Sequence, residues 1–226
     1  MSSSQHVHTI KAGIANVFLI QGEGSVLVDA AQSGKSEIIL KKISDLGIDP
    51  GDIGLIVITH THWDHVGSLS SLVEATGAKV MVHESEADRL AEGLAVIPPG
   101  NSRWGRFLSD NLLGKMAVGE LNKVKADILL QSEASLSAFG IQGKALHTPG
   151  HSPGSTSILL ENGDTIVGDM AMNGFPLRLR PGMPVFAECP ELIHSSWDAI
   201  LAAGARRIYP AHGKSFPVEK LRRDLP

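Results

Sequence analysis

The chain has little of what would make a disulfide scaffold, a membrane span or a nucleic-acid binder. Cysteine occurs once, at Cys189, so no disulfide can form within the chain and the fold does not rely on an oxidising compartment. No run of about 18 apolar residues is present, so no transmembrane helix is expected. The N-terminal "MSSSQHVHTI" lacks a basic stretch followed by an apolar core, and no signal peptide is read there. Positive charge is not in excess: 20 Lys and Arg face 24 Asp and Glu, for a net charge of -4. That argues against general affinity for nucleic acid or an anionic membrane surface. Aromatic residues are few, with a single tyrosine, Tyr209.

What is there is enough for a folded domain. Of 226 residues, 42% are hydrophobic and 19% charged, which suits a sizeable core and excludes a disordered chain. One domain over residues 1–226 and a cytoplasmic location are the expectations.

The apolar pattern alternates between strands and helices. "HVHTI", "ANVFLI" and "SVLVDA" read as strands, the last two joined by the Gly-rich turn "QGEGS". A helix follows in "SGKSEIILKKISDLG", with Ser33 or Ser36 as N-cap and Gly47 as its stop. "IGLIVITH" is a buried strand, "SLSSLVEATGA" a short helix and "KVMVH" a further strand. Residues 84–118, at about those bounds, read as a helical and loop insertion. Arg103, Trp104, Arg106 and Phe107 within it suit either a lid or a cover for the sheet edge. Strands resume in "DILL", "KALHT", "STSILLE" and "DTIVGD", the last two forming a hairpin. The helix "CPELIHSSWDAILAAGA" and the strand "RRIYPAHG" complete the pattern. Two mixed sheets packed face to face, with helices on the outer faces, satisfy this order: a four-layer αββα sandwich of the α/β (α+β) class.

Histidine is concentrated where strands end. "LIVITHTHWDHVG", residues 55–67, carries His60, His62 and His65 beside Asp64. His151 lies in "TPGHSPGS", Asp169 ends "TIVGD" and His212 lies in "YPAHG". Imidazole and carboxylate are the ligands that borderline divalent ions take. Directly after a strand, His60 and His62 can face one ion while Asp64 and His65 turn to a second. One loop can then serve two ions about 3.5–4 Å apart, and the two oxygens of Asp169 can bridge them. Asp64, at the edge of such a site, is the candidate catalytic base. His6, His8, His83, His147 and His194 fall outside these motifs and read as surface, strand or packing residues. Cys189 has no basic neighbour that would mark it as a nucleophile.

The pattern His60-x-His62-x-Asp64-His65, followed by His151, Asp169 and His212, resembles the metallo-β-lactamase-fold hydrolases, and in the same order. Asp29, in "SVLVDA", matches a characteristic acidic position of that family and reads as a partner of the metal-loop backbone rather than a ligand. The resemblance implies one metal on His60, His62 and His151, a second on Asp64, His65 and His212, and Asp169 bridging them. It implies two divalent cations, zinc foremost with iron or manganese as alternatives, and a hydroxide between them that attacks an ester, thioester or lactone-type bond of a small-molecule substrate. Asp169 is similar to the glyoxalase II-like and lactonase-like branches and unlike the β-lactam-cleaving members. Two departures narrow this. The chain ends soon after His212, without the glutathione-holding helices of glyoxalase II. The tyrosine that lactonases place after the bridging aspartate is absent, "GDMAMNGF" standing there instead. Ser68 replaces a second glycine after "DHVG", a change expected to act locally. Two other readings stay open on the likeness: a mononuclear-iron persulfide dioxygenase-like enzyme, and a non-catalytic binding member of the fold. The oligomeric state is not read from the sequence, a homodimer being one option.

Overall fold

The computed structural model describes residues 5–94, 96–111, 121–174 and 177–224. The first sheet runs β1 (His6–Lys11), β2 (Asn16–Gln21), β3 (Ser25–Val28), β4 (Ile53–Val57), β5 (Lys79–His83) and β6 (Ile128–Leu130), in that spatial order. Its first three strands are antiparallel; β3 to β6 are parallel. The second sheet is formed by β7 (Glu133–Ser135), β8 (Gly143–His147), β9 (Thr156–Leu160), β10 (Asp164–Gly168), β11 (Arg207–Pro210) and β12 (Phe216–Pro217), again in sequence order. Within it β10 and β11 are parallel and the other pairings antiparallel. The helices are α1 (Ser36–Asp45), α2 (Trp63–Val66), α3 (Leu69–Thr76), α4 (Glu84–Glu92), α5 (Arg103–Asn111) and α6 (Ile193–Ala202).

Strand alternation builds the layers. Successive side chains point to opposite faces of a strand. In β2, Phe18 and Ile20 point between the sheets, where they meet Val26, Val28, Leu55 and Val57 and, from the second sheet, Ile158, Leu160 and Ile166. Val17 and Leu19 point the other way. With Leu27, Ile56 and Val80 they meet Ile39 and Ile43 of α1 and Leu69 and Leu72 of α3. Leu159, Val167 and Ile208 of the second sheet face Ile193, Trp197 and Ile200 of α6. The result is two mixed six-stranded sheets with helices outside, the αββα sandwich expected from the sequence.

Three details differ from the sequence reading or complete it. Neither Ser33 nor Ser36 caps α1. Lys35 occupies the N-cap position without a side-chain cap, and Ser36 is the first helical residue. The start is held from outside: Ser68 Oγ accepts from Lys35 N at 2.8 Å and donates to Gln32 O at 2.6 Å. Ser68 thus ties α3 to α1, which is the local effect of its standing in place of glycine. The short strands β7 and β12 have no apolar run in their composition and so leave no signal in the sequence. In the expected 84–118 insertion, α4 lies beside β5 and β6, while the following segment reaches the loops at the strand ends. Val96 bridges to His62, Gly100 to Phe186, and Leu108 of α5 packs on Met172, Val185 and Phe186. Residues 95 and 112–118 of that insertion lie outside the described residues.

Candidate metal centre

The seven residues singled out in the sequence converge at one end of the two sheets. After β4 the chain stays extended to His62, which has φ -70° and ψ 150°, and then turns into the single helical turn α2. This places His60 and His62 in an extended stretch and Asp64 and His65 in the turn behind it. His151 comes from the β8–β9 loop, Asp169 directly follows β10, and His212 follows β11. Gly168, with φ +52°, permits the approach of β10: a Cβ there would sit 2.6 Å from Thr59 Oγ1.

Three groups of donor atoms form, each with its atoms within 4.8 Å of one another: His60, His62 and His151; His60, His65 and Asp169; and Asp64, His65 and His212. His151 Nε2 lies 3.1 Å from His60 Nε2 and 2.9 Å from His62 Nδ1. Asp169 Oδ2 lies 3.5 Å from His151 Nε2 and 3.3 Å from His212 Nε2, so one carboxylate touches both sides of the cluster. His212 Nε2 is also 3.3 Å from Asp64 Oδ2.

Each histidine turns one ring nitrogen inward and uses the other on a partner outside. His65 Nδ1 donates to Asp29 Oδ2 at 2.8 Å, and His151 Nδ1 to Phe186 O at 2.8 Å. His212 Nδ1 donates to Ile14 O at 3.1 Å, while His60 Nδ1 meets Thr59 Oγ1 at 3.0 Å. His62 is the exception in hand: its Nε2 faces Glu188 Oε1 at 3.3 Å and its Nδ1 faces the cluster. Such outer hydrogen bonds fix tautomer and ring direction. Asp29 also accepts from Thr59 N at 2.8 Å and from Thr59 Oγ1, so it holds the metal-loop backbone as read from the sequence, and His65 besides. It does so at φ +65°, a conformation costly for a non-glycine residue and kept here by three hydrogen-bonding groups.

Electrostatics divide the cluster in two. Burial, reinforced by the neighbouring imidazoles, holds His60 well below the ordinary histidine value. Burial pushes His151 down to about 4 against the pull of Asp169. At His65 burial opposes charge too, but Asp29, Asp64 and Asp169 overcome it and raise the value to about 9. His212 is raised well above the ordinary value, Asp169 and Asp64 outweighing burial. Asp64 and Asp169 stay below the usual carboxylate range, since His65 and His212 outweigh their burial. Neutral imidazoles therefore face one another on one side, and protonated ones balance carboxylates on the other.

This arrangement fits divalent cations. Lone pairs of neutral imidazoles pointed at one another across about 3 Å repel unless a cation lies among them. His65 Nε2 and Asp169 Oδ1 are buried, 3.6 Å apart, and find no hydrogen-bond partner among the described residues. The nitrogen and oxygen donors are of the type that zinc and similar ions take.

Sequence reasoning missed three residues around the site. Glu86 of α4 is fully buried. It accepts from Thr61 N at 3.3 Å, from Thr61 Oγ1 and from Gly154 N at 3.1 Å, linking the loops of His60 and His151. Glu188 contacts His62, and Arg89 grips Glu188 with two bonds of 2.9 Å. Against burial, His62 and Arg89 bring the Glu188 carboxyl down to about 2. Glu86 left one signal, its place four residues before Leu90 on the buried face of α4. The other two left none. His147 bonds Pro153 O and stacks on His83, away from the cluster. Arg178 braces its own loop through Arg180 O and Met183 O. Burial, with Glu191 and Glu188, raises the Cys189 thiol, which opposes a nucleophilic role.

Comparison with known proteins agrees with this fold. A family model described as the metallo-beta-lactamase superfamily matches residues 10–212. The chain is 31% identical over 157 residues to the probable metallo-hydrolase MJ0888 of Methanocaldococcus jannaschii, covering 67% of each. It is 28% identical over 158 residues to the probable metallo-hydrolase YqgX of Bacillus subtilis, covering 70% of this chain and 65% of that protein. The match thus spans about two thirds of the length of these curated relatives. Among solved structures, a metallo-beta-lactamase family protein from Thermus thermophilus is similar with a TM-score of 0.72 at 22% identity, covering 97% of this chain and 77% of that one. The BLEG-1 B3 metallo-beta-lactamase is similar with a TM-score of 0.70 at 21% identity, covering 95% of each. Likeness at those identities speaks for the fold alone. The chain belongs to the metallo-beta-lactamase superfamily. It has the fold of a metallo-hydrolase, with His/Asp groups suited to metal, and among the described residues no helix is long and apolar enough to cross a membrane.

Proposed function

We propose that this chain is a hydrolase that uses two divalent metal ions, zinc foremost, to cleave an ester, thioester or lactone-type bond in a small-molecule substrate. The observation that carries this reading is the pairing of donors: His60, His62 and His151 form one group, Asp64, His65 and His212 another, and Asp169 reaches both. The first group would hold one ion, the second the other, and Asp169 would serve both. When bound, such ions lower the pKa of water towards neutrality and polarise the bond under attack.

The protein's own residues supply position and proton transfer. The outer hydrogen bonds to Asp29, Phe186 O and Ile14 O hold the rings rigid, so little reorganisation accompanies reaction. Asp64 and His212 each keep 12% side-chain exposure while His65 has none, which makes the Asp64–His212 edge the approach for substrate and water. The ionised Asp64 carboxylate at that edge is placed to accept the proton of the attacking water on an oxygen. The carboxylate at position 169 supports ester-type substrates over β-lactams, on the family resemblance. The single cysteine supports a cytoplasmic location.

A panel of thioesters, lactones, phosphodiesters and β-lactams, offered to metal-replete protein with oxygen uptake followed in parallel, tests the reading. Turnover of an ester, thioester or lactone without oxygen uptake is expected. Oxygen uptake with a persulfide would instead mark a dioxygenase, and no turnover of any member would mark a binding protein.

A further inference from the structure

His62 differs from the other four histidines of the cluster. It presents Nδ1 inward, where the others present Nε2. Glu188 Oε1 lies 3.3 Å from His62 Nε2. A carboxylate accepts but does not donate, so this contact requires the proton on Nε2; in the neutral ring the Nδ1 lone pair then faces His151 Nε2 at 2.9 Å. Without that partner an imidazole has two tautomers and two ring orientations, and only one of the four combinations turns a bare Nδ1 towards the cluster.

Glu188 is itself held from two sides. Its main-chain N donates to His151 O at 2.9 Å, and two residues earlier Phe186 O accepts from His151 Nδ1 at 2.8 Å. Arg89 of α4 grips both carboxylate oxygens, Nη1 to Oε1 and Nη2 to Oε2, each at 2.9 Å. A fork-on-fork pair fixes the carboxylate plane as a single cationic point cannot. The side chains of Arg89 and Glu188 are 28% and 16% exposed, so the pair is largely shielded from water. Arg89 also lies 3.9 Å from Glu86, which ties the loops of His60 and His151 together.

We infer that Glu188 and Arg89 are positioning residues of the metal centre: Glu188 sets the tautomer and direction of His62, and Arg89, from α4, sets Glu188. Helix α4 thereby acts as a brace for the three-imidazole group. This rests on the reading of the cluster as a metal centre.

Two readouts separate the inference from that reading. In protein labelled with 15N-histidine and loaded with zinc, long-range 15N–1H couplings report which nitrogen of His62 carries the proton. Nε2 is expected, and a proton on Nδ1 in the wild type would overturn the inference without any variant. Zinc binding is then titrated calorimetrically into metal-free wild type, Glu188→Ala, Glu188→Gln and Arg89→Met. The wild type is expected to take two ions. Glu188→Ala should weaken one of them by about 10–100-fold, the range seen when outer partners of metal ligands are removed, and leave the other unchanged. Glu188→Gln, whose amide oxygen still accepts from Nε2–H, should recover part of the loss. Arg89→Met should reproduce most of it, and adding it to Glu188→Ala should add little. Wild type that takes two ions while all the variants match it overturns the positioning role alone. Wild type that takes no zinc overturns the metal-centre reading, and the inference with it.

Discussion

The trio His60, His62 and His151 and the group Asp64, His65 and His212 lie side by side and share Asp169, yet they are built differently. The trio is all imidazole. Burial keeps His60 and His151 neutral, and their lone pairs face inward with no carboxylate of their own. In the second group carboxylates hold protons on His65 and His212, so positive charge is already present as imidazolium. A cation entering the trio relieves repulsion between lone pairs. A cation entering the second group must displace protons, so its binding depends on pH. The same residue types thus give two subsites with different linkage, and the difference comes from which carboxylates stand nearby.

The most severe break should come at the shared edge. Asp64→Asn removes both a donor of the second group and the proposed base, and turnover should fall by roughly 10²–10⁴-fold, the usual share of acid–base catalysis. Steady-state rates of the metal-replete variant, with its metal content measured beside them, check this. Asp29→Asn comes next. It loosens His65 directly and reaches the trio only at second hand, through Thr59 Oγ1 on His60 Nδ1, so the second ion should weaken by about 10–100-fold and the first by much less. Equilibrium titration with zinc separates the two.

Stability of the metal-free protein probes the same contrast through pH. His65 moves from about 6.5 unfolded to about 9 folded. Because the folded value is the higher, the stabilisation is complete below pH 6.5 and is lost as pH rises towards 9, amounting to a few kcal/mol for this buried group. Urea unfolding of the metal-free chain across that window should show the decline. Asp29→Asn, which removes the Asp29 charge that helps to hold the proton on His65, should flatten it. The smallest effect is expected from Ser68→Gly. It breaks the link between α1 and α3, should cost about 1–2 kcal/mol in unfolding, and should leave both ions bound.

Legibility in the sequence follows how each feature is encoded. The sandwich is readable because strand alternation and helix spacing are local properties, as in β2 with Val17 and Leu19 on one face and Phe18 and Ile20 on the other. The loop from His60 to His65 is readable because four donors crowd into six residues. His151, Asp169 and His212 stand alone in their loops, and only their recurrence at strand ends marks them. The supports of the site are harder to see. Phe186 O and Ile14 O act through the main chain, so their residue types carry no signal. Glu86, Arg89 and Glu188 read as ordinary surface charges until tertiary packing buries them against the loops. The expected Ser33 and Ser36 caps fail for a related reason: the start of α1 is satisfied by Ser68, 33 residues after Lys35 in the chain.

A paired-ion centre is the central claim, and metal content per chain tests it most directly. Protein purified without chelators, reconstituted with zinc and dialysed at neutral pH, should hold two zinc ions per chain by elemental analysis. As pH is lowered, the ion of the carboxylate-rich group should leave first, because protons compete for His65 and His212 at higher pH than for His60 and His151. One ion per chain, or none, under saturating zinc would contradict it.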